Sequence, residues 1–311
     1  MHPSPLLLHI PDGFLSIIVA VGCWVITASL LAIAIRQTNE SLGEKQIPLM
    51  GIMAAFIFAA QMINFPVAGG TSGHLLGGAL AAILLGPWAA MLVMTAVITV
   101  QGLLFQDGGL VAMGANILNM GLITAAIGYG FHRAVLTQSR GVKLTVAGLA
   151  AWTSVMAGAL ATTLQLWLSG TAKLGLILPA MLTVHAVIGF GEAFITVAAL
   201  GFIMQTRPDL LGESSESARG GKGWILAGIA LTMIVVLLAP FASTNPDGLE
   251  RVATDLGFLQ SGQSAPFKII PDYTVPILGG TPLSTVVAGI IGVIVVGLVV
   301  GATAIGLRKK S

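Results

Sequence analysis

Apolar residues run in long blocks separated by short polar stretches. The blocks fall near 15–35, 48–64, 75–104, 112–131, 144–168, 177–204, 224–241 and 284–307. Several exceed the roughly 18 apolar residues that mark a membrane helix. The 75–104 block would be about 45 Å long as one helix, against a hydrocarbon core of about 30 Å. It contains Gly86-Pro87-Trp88, a turn signal beside an interfacial aromatic, which divides it into two short helices. The first block is too long for a signal-peptide core and reads as a retained helix. The pattern therefore predicts an all-α fold, a polytopic membrane helix bundle of about nine transmembrane helices, seven plus two.

Composition agrees. Of the 311 residues, 8% are charged and 56% apolar, against about 25% charged in a soluble domain. That balance excludes a soluble enzyme, a disordered chain and a nucleic-acid binder, and points to the lipid bilayer as surroundings. Cys23 is the only cysteine, so a disulfide framework and a thiolate metal cluster are excluded.

The basic residues set an orientation. Of 14 Lys and Arg, 11 fall in alternate loops: Arg36, Lys45, Arg133, Arg140, Lys143, Arg207, Arg219, Lys222, Arg308, Lys309 and Lys310. Nine crossings with the N-terminus outside and the C-terminal tail cytoplasmic place this group inside the cell. A multi-pass protein of the bacterial cytoplasmic membrane is expected. The stretch 205–223 is rich in Gly, Ser and charge, as a tether should be. It divides a seven-helix unit, 1–204, from a two-helix module, 224–311, with an outside loop over 242–283.

The informative residues are the polar ones where polarity is expensive. His185 and Glu192 lie seven residues apart on one predicted helix and share a face. A proton or metal relay and an interhelical hydrogen-bond clasp are both open readings, the clasp being the commoner use of such pairs. His74 lies in the Gly-rich entry Gly69-Gly-Thr-Ser-Gly-His74-Leu-Leu-Gly-Gly78. The Pro11-Asp12-Gly13 turn signal folds His9 back toward the outer mouth, where it can converge with His74. Gln101, Gln106, Asn116 and Asn119 can hydrogen-bond such a site, although structural amides between helices are commoner.

Four ordered motifs resemble the CbiM/NikM family, the substrate-capture subunits of energy-coupling-factor (ECF) nickel and cobalt transporters. They are His9-Ile-Pro-Asp-Gly-Phe-Leu-Ser16, Gly69-Gly-Thr-Ser-Gly-His74-Leu-Leu-Gly-Gly78, Gly108-Gly-Leu-Val-Ala-Met-Gly-Ala-Asn116 and His185-Ala-Val-Ile-Gly-Phe-Gly-Glu192-Ala. The C-terminal module, with Asn245-Pro-Asp-Gly-Leu-Glu250 and Pro271-Asp-Tyr-Thr-Val-Pro-Ile-Leu-Gly-Gly280, is similar to the family's NikN-like companion, here fused. The resemblance implies an all-nitrogen metal site: amide and imidazole from His9, imidazole from His74, and a terminal amine. Amine, amide and imidazole of one histidine form two fused chelate rings in a plane, which suits Ni(II) or Cu(II) rather than tetrahedral zinc. The pattern places the amine next to the histidine, whereas seven residues plus Leu8 precede His9. Translation from Leu8 restores it and removes His2; a site rebuilt on Met1-His2 is the alternative. Asn116, Gln106, His185 and Glu192 are candidates to support the ligands.

No catalytic residues and no resident cofactor are expected, and the chain is read as a non-enzyme; the transported ion is Ni(II) or Co(II). Gly220-Gly-Lys222-Gly lacks the spacing and hydroxyl of a phosphate-binding loop, so energy has to come from other subunits. The resemblance implies a CbiQ/NikQ-type transmembrane coupling subunit and a CbiO/NikO-type ATPase as partners. Three rivals remain. A stand-alone proton-coupled carrier would use Glu192. An intramembrane enzyme lacks a His-Glu-x-x-His pair or a nucleophile arrangement, and a vitamin-capturing subunit would need more aromatics than 6%. The loop 242–283 carries Asp247, Glu250, Asp255 and Asp272; it serves either to ease cation approach and gate the N-terminal segment, or as a stabilising lid.

Overall fold

A computed structural model describes residues 9–43, 46–207 and 223–308. It is an all-α bundle. Helices α1 (Ile17–Ser41) and α2 (Gln46–Gln61) are followed by a hairpin of β1 (Phe65–Val67) and β2 (Thr71–Gly73). Then come α3 (Gly78–Leu85), α4 (Pro87–Val100, ending in a π-helical turn to Phe105) and a helical run over 113–134. That run comprises α5 (Met113–Asn116), a π-helical stretch Ile117–Ile123 and α6 (Thr124–Ala134). Helices α7 (Arg140–Leu168) and α8 (Leu174–Thr206) complete the first unit. The second contributes α9 (Gly223–Leu238), the short α10 (Gly248–Leu256) and α11 (Pro282–Leu307). Most of the expected linker, and with it Arg219 and Lys222, lies outside the described residues.

Every apolar block became helix, and six helices are long and apolar enough to cross a membrane. The 75–104 block is divided at Gly86 (φ +78), with Pro87 opening α4, as its turn signal predicts. Nine crossings additionally require α2, α3 and the 113–134 run. Of these, α3 has eight residues and rises only about 12 Å. The chain reaches it through a non-helical stretch over 74–77, and such backbone is tolerated at membrane depth only when protein satisfies it.

Buried side chains do so. Glu192, fully buried on α8, accepts from the Leu76 N–H at 2.6 Å and the Gly77 N–H at 2.9 Å. The Gln61 Nε2 donates to the Leu76 carbonyl at 2.8 Å. Gly77 (φ +81) makes the turn into α3, and the Glu192 carboxylate also faces the positive end of that helix. Glu192 is thus the clasp of the two readings open from the sequence.

Lipid gives helices little hydrophobic reason to associate, so close packing over small residues has to hold them. A methyl added at Gly128 on α6 would lie 2.5 Å from the Ala79 Cα on α3. The C-terminal helices dock similarly: α9 and α11 both pack on α2, and any Cβ at Gly292 would run into the Phe58 ring. The module is therefore built into the bundle.

Two ends can be distinguished. Thr38, Gln46, Gly86, Trp88 and Arg133 line one cavity of about 480 Å³, so the loops after α1, α3 and α6 share an end. The hairpin, the 105–112 turn and the 242–283 segment share the other.

Replacing Glu192 with Ala strands two buried N–H donors, each costing about 1–3 kcal/mol. We expect Glu192→Ala to lower unfolding stability in detergent by about 2–4 kcal/mol, with Glu192→Gln losing less because its amide oxygen still accepts. An unchanged unfolding midpoint for Glu192→Ala would contradict the clasp.

Candidate metal centre

The first described residues are tied to the bundle. The Ile10 N–H donates to the Asn116 Oδ1 at 3.0 Å, and the Asn116 Nδ2 returns a hydrogen bond to the Ile10 carbonyl at 3.0 Å. One side-chain amide thus pairs with the backbone as a neighbouring strand would. The Gly109 N–H adds a bond to the same carbonyl at 2.9 Å. Two residues on, the Asp12 carboxylate accepts from the N–H groups of Leu110, Val111 and Ala112 at 3.0, 2.8 and 3.0 Å. These amides open the 113–134 helical run, where a carboxylate satisfies orphan donors and meets the positive end of the helix dipole. The approach needs glycine. Gly108 has φ +97, and a Cβ there would lie 2.8 Å from that of His9.

This docking carries His9 beside His74. Both are buried, with ring centroids 5.8 Å apart and planes at 73°. They line a cavity of about 80 Å³ together with His185, Asn116, Asn119 and Asp247. A water needs roughly 10–15 Å³ of such space, so the cavity admits a partly dehydrated ion. Each imidazole is held through Nδ1 by a backbone carbonyl: His9 by Asp107 at 3.0 Å, His74 by Leu75 at 3.0 Å and His185 by Met181 at 2.8 Å. Assigning the proton to Nδ1 from these contacts makes each Nε2 the lone-pair nitrogen. The Nε2 of His9 is buried and without a partner. A buried polar nitrogen left unpaired is costly unless it binds something. Metal-ligating imidazoles are commonly held by their other nitrogen, as the His74 ring is held here by the Leu75 carbonyl.

Among the described residues, no group of three His, Cys, Asp or Glu side chains can hold a metal ion by itself. Any site at His9 and His74 therefore needs further donors, such as main-chain nitrogen. Leu8, with the amine expected on it, and Met1 and His2 lie outside the described residues.

The supporting candidates separate. Asn116 positions His9 by holding Ile10, and Glu192 positions the backbone following His74. His185 lines the cavity itself. Gln106 does not: it has φ +55, its Nε2 donates to the carbonyls of Leu103 and Leu104, and its Oε1 receives the Ile269 N–H at 3.4 Å. It joins the π-helical turn to the 242–283 segment. Asn119 is locked in a reciprocal amide pair with Gln165, both bonds 2.7 Å.

Sequence reasoning missed Asp107. It is buried and holds His9 through its carbonyl, and its Oδ1 lies 3.4 Å from the His9 Nδ1. The available signal was its place as the one acid between the 75–104 and 112–131 blocks.

The 242–283 segment covers the cavity. Ser72 in β2 donates from N–H and hydroxyl to the carbonyls of Pro246 and Asn245, both at 2.8 Å. The Gln263 N–H donates to the Asp12 carbonyl at 2.7 Å. Asp247 caps α10, accepting from the Glu250 N–H at 2.7 Å. Burial above all, with the Glu250 and Asp107 charges adding, pushes its carboxyl up to about 7.

Residues 9–210 match the family model for the CbiM-type cobalt uptake substrate-specific transmembrane region. The chain belongs to the CbiM family. Residues 222–309 match the PDGLE domain, whose name spells Pro246 to Glu250. The CbiM-type unit and the PDGLE module recur together in relatives. A putative fused nickel transport protein NikMN of Archaeoglobus fulgidus is 36% identical over 93% of this chain and 95% of its own. The fused nickel transport protein NikMN of Rhodobacter capsulatus is 28% identical over 97% and 98%. A solved structure described as a truncated transition metal transporter shares 34% identity, with TM-score 0.58 over 63% of this chain and 98% of that one. The protein is thus a CbiM-type, multi-pass membrane protein.

If Asp12 anchors the N-terminal segment, Asp12→Ala frees it while the bundle persists. Hydrogen exchange should then rise at the amides of Ile10, position 12, Gly13 and 109–112 and stay unchanged in α7. Unaltered protection at 109–112 would show that the carboxylate is dispensable.

Proposed function

We propose that this protein is the substrate-capture membrane component of an ATP-driven ECF-type transporter that imports Ni(II), with Co(II) as the lesser substrate. Its metal ligands in this reading are the imidazoles of His9 and His74, the amide nitrogen of His9 and an amine at residue 8. The observation that carries it is the meeting of two buried histidines from distant segments at one cavity.

The fused architecture of the nickel-named relatives supports nickel, as does the donor set. Four nitrogens in a plane favour Ni(II), and a rigid frame can discriminate where raw affinity would favour copper. Chelation by the amide and ring of one histidine uses Nδ1, so capture turns the His9 ring and exchanges its Asp107 contact for the ion. The end bearing the hairpin and the 242–283 lid faces outside, and the Arg133 end faces the cytoplasm, following the charge bias. Residues 1–204 form the capture unit, 205–223 the tether and 224–311 the lid-bearing module. A CbiQ/NikQ-type subunit and a CbiO/NikO-type ATPase supply coupling and energy. The rival proton-coupled carrier needs an available Glu192, and both oxygens of that carboxylate are engaged by backbone N–H groups.

Uptake of radioactive nickel by cells expressing the chain with its coupling subunits tests this reading. His9→Ala and His74→Ala should each reduce uptake to background, excess unlabelled nickel should compete better than cobalt, and uptake should stop when ATP is depleted. Undiminished uptake in both variants would reject the site. Uptake that survives ATP loss and collapses with the proton gradient would favour the rival.

A further inference from the structure

We propose that the cavity at the Arg133 end of the bundle holds the phosphate of an anionic phospholipid. It lies between the last turns of α1, the Gly86-Pro87 turn and α6. It is at the opposite end from the histidines and much larger than their cavity, about 480 Å³ against about 80 Å³. This site is independent of the metal centre. Only its assignment to the cytoplasmic leaflet follows from the orientation in the preceding reading.

Hydrogen-bond donors without partners collect here. Thr38 on α1 is 2% exposed, lines the cavity, and has a buried hydroxyl without a partner. Thr95, Thr163 and Thr232 return their hydroxyls to the carbonyl four residues back in their own helices. Thr38 does not, and a buried polar atom left unpaired is costly unless something binds it. Arg133 has no acid or carbonyl partner among the described residues. By contrast, Arg36 pairs with Glu40 at 3.4 Å, Arg140 donates to the Gly201 carbonyl at 2.9 Å, and Arg207 lies over the Trp224 ring. Helix α4 opens at Gly86 without a side-chain cap, so its first amides and the positive end of its dipole also meet the cavity. Among the described residues, none of those lining it is acidic. Several donors and one positive charge with no opposing acid suit an anion that offers several acceptor oxygens.

The rest of the lining selects a lipid over a free anion. Leu42, Leu85, Met91 and Ala126 give the cavity an apolar wall, along which an acyl chain can lie. A soluble anion would leave that wall facing water. Trp88 and Tyr129 line it together with Arg133, the aromatic pair typical of the membrane interface. The Arg133 guanidinium can grip a phosphate through two parallel hydrogen bonds. Basic pockets between membrane helices on the side of the positive loops are where anionic headgroups bind.

The test uses the purified full chain in detergent, titrated in turn with phosphatidylglycerol, phosphatidylcholine and inorganic phosphate and read by native mass spectrometry. One phosphatidylglycerol per chain should be retained in preference to phosphatidylcholine, and inorganic phosphate should not displace it. Arg133→Gln should weaken phosphatidylglycerol binding about fivefold, the effect of one basic residue near a headgroup. Thr38→Val, which keeps the side chain's shape, should weaken it as well. Arg140→Gln, at the same end but already engaged with Gly201, should leave it unchanged. The thermal unfolding midpoints of the three variants should stay near that of the parent. Equal retention of the two lipids, displacement by inorganic phosphate, or parent-like binding in Arg133→Gln would overturn the inference and leave the metal site untouched. Absence of phosphatidylglycerol binding, with Arg133 shielded from phenylglyoxal only when the coupling subunit is added, would overturn it in favour of a protein contact.

Discussion

Backbone amides inside an apolar bundle have no water to turn to, and this requirement organises the structure. Two stretches of the chain enter the bundle without being helical, one around His9 and one around His74. Each survives only because buried polar side chains satisfy its N–H and C=O groups. Asn116 and Asp12 do this for the first stretch, and Glu192 and Gln61 for the second. The expensive polar residues of the membrane interior are thus used to hold two irregular segments side by side. The two histidines meet because the segments that bear them have nowhere else to put their amides.

That economy explains why so few polar residues are needed. One asparagine amide, acting as donor and acceptor, replaces a strand partner for Ile10. One aspartate serves three amides at the start of a helical run, and one glutamate serves two. The imidazoles of His9, His74 and His185 are each held by a backbone carbonyl. The C-terminal module then closes the end of the bundle, with bonds to Ser72 and Asp12 and from the Tyr273 hydroxyl to Asp107 among those that tie it down. A fused module suits this arrangement, since its helices pack on α2 while its loop reaches the opposite side of the site.

Much of this was legible in the sequence, because hydropathy and turn chemistry act locally. The block lengths gave the helices, and Gly86-Pro87 divided the long block where it stood. Pro11-Asp12-Gly13 predicted the turn that returns His9 toward His74, and the seven-residue spacing of His185 and Glu192 put them on one helix face. What sequence could not reveal depends on partners far apart in the chain. Asp107 and Tyr273 are separated by 166 residues, and neither carries a local signature of the contact. Gln106 looked like a site residue because it neighbours the outer turn. Its left-handed backbone turns its amide toward Leu103, Leu104 and the lid instead. The shortness of α3 was hidden because its entry residues Leu75 and Leu76 are as apolar as a helix would be; their non-helical backbone is satisfied by Glu192 of α8.

The central claim is that the docked N-terminal segment and the entry at His74 share one divalent ion through nitrogen alone. X-ray absorption at the nickel edge of the loaded full chain measures this most directly. The account predicts a four-coordinate shell of nitrogen scatterers with imidazole multiple scattering from two rings, reduced to one ring in His74→Ala. A shell of six oxygens, a sulfur scatterer, or a spectrum indifferent to His74→Ala would contradict it.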